Sequence, residues 1–123
     1  MHPVGETLRA ATEKLNALLK EAEAAICASQ EHVEVQVKLP SGPLLKYGKW
    51  NGLWGLYVCF SDGHTVPLSN VSRALRVEAA LALHDLVAKI PEALANETER
   101  TLAAVEKMEE FMSRAERPAG GEK

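Results

Sequence analysis

Residues 44–68, LLKYGKWNGLWGLYVCFSDGHTVPL, decide the fold, with Asn51-Gly52 at the centre of two apolar, aromatic runs. Asn-Gly is the strongest short-range hairpin signal, because a type I′ turn requires φ > 0 at both central residues. A two-residue loop there sets Trp50 opposite Leu53, Gly48 opposite Gly55, Tyr47 opposite Leu56, Lys46 opposite Tyr57 and Leu45 opposite Val58. Opposed residues share a face. One face therefore carries Leu45, Tyr47, Lys49, Trp54, Leu56, Val58 and Phe60, and the other Leu44, Lys46, Trp50, Leu53, Tyr57 and Cys59, with a gap at the two glycines. Neither face is polar, whereas a sheet with one wet side alternates apolar and polar residues. The ribbon is thus expected to be covered twice, by the chain's own helices on one side and by a helix, a second subunit or a partner on the other. The face of Trp54, Leu56, Val58 and Phe60 has the longer apolar series and is the expected core.

On the C-terminal side, Asp62-Gly63 signals a second turn that would set Ser61 opposite His64 and return His64–Val66 as a strand, with Pro67 marking it as an edge. On the N-terminal side, Val33, Val35, Val37 and Leu39 alternate with Glu34, Gln36 and Lys38, a half-wet strand ended by Pro40-Ser41-Gly42-Pro43. The sheet is therefore a four-stranded antiparallel meander.

Helices flank it. Leu8, Ala11, Leu15, Leu18, Leu19, Ala22, Ala25 and Ile26 recur at spacings of three and four, predicting an amphipathic helix of about six turns, capped by Thr7 and interrupted at Ser29-Gln30. Its alanine-rich seam is a thin one for a coiled coil. After the sheet, Ser69 or Asn70 is placed to cap a second helix lined by Val71, Leu75, Ala79, Ala82, Leu86 and Ile90. Val77, Ala80, Leu81 and Leu83 add apolar residues around that helix, so burial on more than one side is expected. Ile90-Pro91 begins a third helix, in which Leu94, Thr98, Thr101, Val105, Met108, Met112 and Ala115 keep a four-three repeat flanked by Leu102 and Phe111. At roughly 35 Å it is too long for a small sheet to cover, and its surplus should pack on the first helix or on another copy of the chain. Residues 1–117 are read as a single α+β domain, with a long N-terminal helix, the meander and two C-terminal helices, and 118–123 as a disordered tail.

Composition narrows the function. The chain has 123 residues, 46% of them hydrophobic, and a formal charge of −3; with a sequence pI near 5.8 it offers no global positive field for nucleic acid or anionic membranes. No apolar run approaches the ~20 residues of a spanning helix, and the N-terminus lacks the features of a signal peptide, so a cytoplasmic protein is expected. Cys27 and Cys59 fit no CxxC pattern and are read as free thiols.

Each chemical motif has a plainer reading. Ser61, Asp62 and His64 include the residue types of a hydrolase triad, but Asp-Gly is what the turn itself demands. His2, His32, His64, His84 and Cys59 show no metal-ligand spacing. Glu21/Glu23 and Glu109/Glu110 fall on solvated helix faces. Val71–Leu75 is similar to the start of a helix-turn-helix recognition helix, yet an edge strand precedes it where a short helix is required. No cofactor, metal or catalytic residue is assigned.

What remains is the Trp50/Tyr57 face. The expectation is a non-catalytic interaction protein of adaptor, inhibitor or chaperone type, a homodimer that binds another protein through the aromatic sheet face or the long helices. Its candidate binding residues are Lys46, Trp50, Leu53, Tyr57, Arg73 and Arg76. A second reading has Trp50 and Tyr57 stacking on a nucleotide-like small molecule, with Lys46, Arg73 or Arg76 pairing its charge. A third and weaker reading is a nucleic-acid-binding regulator.

Overall fold

A computed structural model describes residues 4–29 and 32–116. Three α-helices and a four-stranded sheet follow in the order α1 (Val4–Ser29), β1 (Val35–Lys38), β2 (Leu44–Trp50), β3 (Leu53–Cys59), β4 (Thr65–Pro67), α2 (Arg73–Ala88) and α3 (Ile90–Glu116), with a single 3-10 turn at Leu68–Asn70 before α2. The fold is α+β, and the strands pair antiparallel in sequence order. The tail at 118–123 lies outside the described residues.

The hairpin register follows from its turn. Asn51 and Gly52 both take positive φ, 56° and 84°, which matches the turn twist to the strand twist. Trp50 then faces Leu53, and the ladder runs without a bulge to Leu44 opposite Cys59. β1 joins with Val35 opposite Tyr47 and Val37 opposite Leu45. Leu45, Tyr47, Leu56 and Val58 consequently share one face, and each is completely buried. The Trp54–Phe60 series is thus the inner face. α2 lies across β1 and β2, and α1 lies along β3. Leu19 and Ile26 of α1, Ala79 and Leu86 of α2 and Ile90 at the base of α3 close the core over the sheet.

Several local details depart from the sequence expectations. The Asp62-Gly63 turn is a three-residue loop, since the Phe60 N–H donates to the His64 carbonyl and Gly63 adopts φ 95°. Ser61 is therefore in the loop and not opposite His64. The cap of α2 is Ser72, whose hydroxyl accepts the Leu75 N–H at 3.3 Å; Ser69 and Asn70 are taken up by the 3-10 turn. Thr7 lies inside α1, which begins at Val4. The β1–β2 loop is tied to α2 by Glu78, which accepts from both the backbone N–H and the hydroxyl of Ser41. Apolar residues on the outer side of α2 are not all covered: Val77 and Leu81, one turn apart, are exposed.

α3 departs most from a packed element. Ile90 is buried and Ala93 and Leu94 touch the core, but every residue from Ala95 to Ala115 is exposed. About six turns, roughly 30 Å of helix, are thus exposed, and among the described residues this part of α3 does not pack on α1.

Candidate functional site

β4 ends at Pro67, opposite Tyr57, so β3 runs on past its neighbour. Because the hairpin pairs Trp50–Leu53, Gly48–Gly55 and Lys46–Tyr57 across the β2 side, the backbones of Trp54 and Leu56 point to the β4 side. There β4 has stopped, and α1 supplies the missing partners. The Glu23 carboxylate accepts the Leu56 N–H at 2.8 Å, and the Cys27 thiol donates to the Trp54 carbonyl at 3.6 Å. Two side chains one helical turn apart thereby stand in for an absent strand, and they seal part of an edge that would otherwise invite pairing.

This junction forms one wall of a cleft of about 490 Å³ between α1 and the outer face of the hairpin, lined among others by Lys20, Glu23, Cys27, Trp50, Leu53 and Tyr57. A second cleft of about 410 Å³ adjoins it, sharing Lys20, Glu23 and Ser69 and adding Arg76. Burial pushes the Cys27 thiol up, and the Glu23 carboxylate pushes it further in the same direction. Burial, then Glu23 and Cys27, also raise the Tyr57 phenol. The thiol is therefore a poor nucleophile, and Cys27 serves as a hydrogen-bonding hydrophobe. Burial likewise raises the phenol of Tyr47, on the inner face.

Trp50, Leu53 and Tyr57 are together, as the register requires, but they differ in accessibility. Trp50 is 41% and Leu53 70% exposed, whereas Tyr57 is only 6% exposed. The Tyr57 phenol donates to the Leu53 carbonyl at 2.7 Å, and its ring meets Trp50 edge-on, 5.6 Å between centroids at 60°. Two rings at that spacing leave no gap for a planar ligand. The glycine slot is also filled from within. The space a Cβ would take at Gly55 holds the Glu23 carboxylate, and that at Gly48 holds the side chains of Lys46 and Glu34.

Of the cationic candidates, Arg76 alone borders these clefts. One guanidinium nitrogen of Arg76 donates to the Val71 carbonyl, while Nε is buried with no partner among the described residues. Lys46 points toward β1 and pairs with Glu34 at 3.5 Å, and Arg73 is exposed on α2, lining neither cleft. Lys20, Glu23 and Cys27 escaped the sequence reading because that reading groups Glu23 with the solvated helix charges, although it stands four residues after Leu19 and three before Ile26, beside the buried seam. A further hint was Pro67, which cuts β4 short and leaves a donor on β3 to be satisfied.

The other motifs resolve locally. Asp62 accepts the backbone N–H and the ring Nδ1 of His64, both at 2.9 Å; these bonds hold its carboxyl below the usual range and clasp the turn. His32 stacks on Trp54, and His84 is exposed on α2; His2 lies outside the described residues. Among the described residues no three potential metal ligands converge, and no helix is long and apolar enough to cross a membrane.

The largest uncovered apolar feature is α3. Leu102, Val105, Met108, Phe111 and Met112 are each between 44% and 60% exposed. Thr101, Ala104, Val105, Met108 and Met112 line one shallow, almost wholly apolar groove along it. The opposite side carries Glu110 paired to Arg114, whereas Glu97, paired to Arg100, lies four residues before Thr101 on the stripe's own side. Comparison with known proteins finds no matching family model, no matching curated protein and no matching solved structure.

Proposed function

We propose that this chain is a non-catalytic protein–protein interaction module that works as a homodimer, with α3 as the arm that joins two copies and the Trp50–Leu53 hairpin tip as the contact for a protein partner. The observation that carries this reading is the uncovered length of α3 from Ala95 to Ala115, with its apolar stripe in the four-three repeat and most of its charges on the other side. A helix of that pattern loses little by helix propensity alone, but most helical stability in proteins comes from packing an apolar face. A second copy supplies the matching stripe, in which Met and Val knobs can enter holes between Thr and Ala. The hairpin tip suits a partner for a different reason. Trp50 is held by its edge contact with Tyr57 and so presents apolar area at little entropic cost, the usual quality of an interface anchor.

The test is a double substitution, Val105→Glu with Met108→Glu, in the middle of the stripe. The expected result is a fall in light-scattering mass from dimer to monomer with the sheet and core unchanged by near-UV circular dichroism. An unchanged mass would refute α3 as the joining arm.

A further inference from the structure

β1 is the outer strand of the sheet and is bonded on one side only, to β2. Its backbone alternates in direction. Leu45 and Tyr47 of β2 send their groups to β1, where Val37 and Val35 receive them. The N–H and C=O groups of Glu34, Gln36 and Lys38 therefore point away from the sheet, and no backbone hydrogen bond among the described residues satisfies them. The side chains alternate in step: Glu34, Gln36 and Lys38 are exposed, Val35 is buried and Val37 half-buried.

The segment reads Glu34-Val35-Gln36-Val37-Lys38. Turned end for end, it is its own electrostatic complement. We infer that a second copy of the chain adds its β1 antiparallel to this one, about a two-fold axis at Gln36, so that the two sheets become one continuous sheet. Glu34 then lies opposite Lys38 of the copy at both ends of the contact. Gln36 faces Gln36 on the axis, and Val35 faces Val37 beneath, where the copy completes the cover over a half-buried valine. The residues that meet as hydrogen-bonded pairs are those whose backbone groups are free, which is what an edge-to-edge junction requires.

The charges also specify the register. Sliding by four residues opposes Glu34 to Glu34 or Lys38 to Lys38, and sliding by one sets valine against charge on each face. A charged edge ordinarily repels a neighbour; with opposite signs placed symmetrically about Gln36, it selects one.

So short a strand pair does not bury the area of a stable dimer. The remainder is available beside it, and here the inference rests on the homodimer proposed above. The base of α3 flanks the same edge, enclosing with β1 a cleft of about 430 Å³ lined by Glu34, Gln36, Lys89, Glu92, Ala93 and Asn96, among others. The uncovered part of α3 thus starts beside the edge at which the copy docks.

The experiment uses two full-length charge variants, Lys38→Glu and Glu34→Lys, followed by sedimentation alone and mixed. Each alone opposes like charges across the axis and is expected to self-associate about tenfold more weakly than the unsubstituted chain. Their equimolar mixture regains two attractive pairs and is expected to recover the loss as a heterodimer. A Gln36→Cys variant, which sets two thiols face to face at a separation a disulfide spans, is expected to cross-link under mild oxidation faster than Lys38→Cys. If the unsubstituted chain dimerises while both charge variants do so equally well, if mixing restores nothing, or if the two cysteine variants cross-link at equal rates, the β1 junction is overturned and the α3 reading survives. A monomeric unsubstituted chain overturns both.

Discussion

Glu23 occupies the place in the sheet that β4 is too short to fill. Its carboxylate is the acceptor for a Leu56 N–H in a residue with no exposed surface, and an unpaired buried donor costs about 1–3 kcal/mol. Glu23→Ala should lower stability by that amount in urea denaturation, and Glu23→Gln, which keeps an acceptor, by less. Gly55→Ala should act through the same bond. A Cβ there would lie 2.5 Å from a Glu23 carboxylate oxygen, and the flexible side chain escapes only by leaving Leu56. The two substitutions should therefore be strongly non-additive in a double-mutant cycle; additive costs would detach Gly55 from the Glu23 bond. Gly48→Ala displaces the far end of Lys46 and crowds the Glu34 side chain paired with it, both flexible, and should cost less than Gly55→Ala.

Burial sets a pH dependence, to which the Glu23 carboxylate adds at Cys27 and Tyr57. Cys27, Tyr47 and Tyr57 hold their protons more tightly when folded, chiefly through burial. Between the ordinary thiol and phenol ranges, about 8.5 and about 10, and the raised folded values, the folded chain binds more protons than the unfolded one. Stability is then complete below those ordinary values and falls as the pH rises through the window. Urea midpoints that stay level from neutral pH to about pH 10.5 would contradict this linkage. Replacing Glu23 by Gln removes one cause of the raised thiol pKa, so Cys27 should alkylate at a lower pH, read by peptide-resolved labelling.

Elements differed in how much of them could be read from residues. The β2–β3 hairpin was legible down to its register, because Asn51-Gly52 admits one turn type and a two-residue loop leaves no freedom to slip; which face is inner was not, since it depends on how β1 joins β2 and on where the helices lie. The turn into β4 was not. Asp-Gly fits either a two-residue loop or a three-residue loop with glycine at its end, and only the pairing of Phe60 with His64 selects the second. The cap of α2 was displaced for a related reason: Ser69, Asn70 and Ser72 are all competent, and the choice falls to tertiary packing of Leu68 and Val71 into the core. Gly52→Ala should cost about 1–2 kcal/mol, since alanine resists the positive φ found there. α3 was legible as a heptad helix, and its freedom from α1 was not, because periodicity reports that a stripe needs cover and is silent about what gives it.

At the level of the assembled protein, the hairpin's two apolar faces have different fates. The inner one disappears under α1, α2 and the root of α3, and Leu56→Ala, in a side chain with no exposed surface, should cost about 2–5 kcal/mol. The outer one is met partly from within, by Tyr57 lying under Trp50 and by Glu23 over Gly55, so the aromatic slot suggested by the opposed glycines is occupied by the chain's own side chains. Trp50, Leu53 and the α3 stripe remain uncovered, and α1 was visible in the sequence only as an amphipathic helix, its edge-sealing role being a tertiary fact. The proposed self-association would cover the apolar surface that this 13.4 kDa chain leaves on α3. Sedimentation equilibrium of the full-length chain from low micromolar to near-millimolar concentration addresses that most directly: the expected result is a reversible approach to twice 13.4 kDa, and a mass that stays at 13.4 kDa throughout would contradict the account.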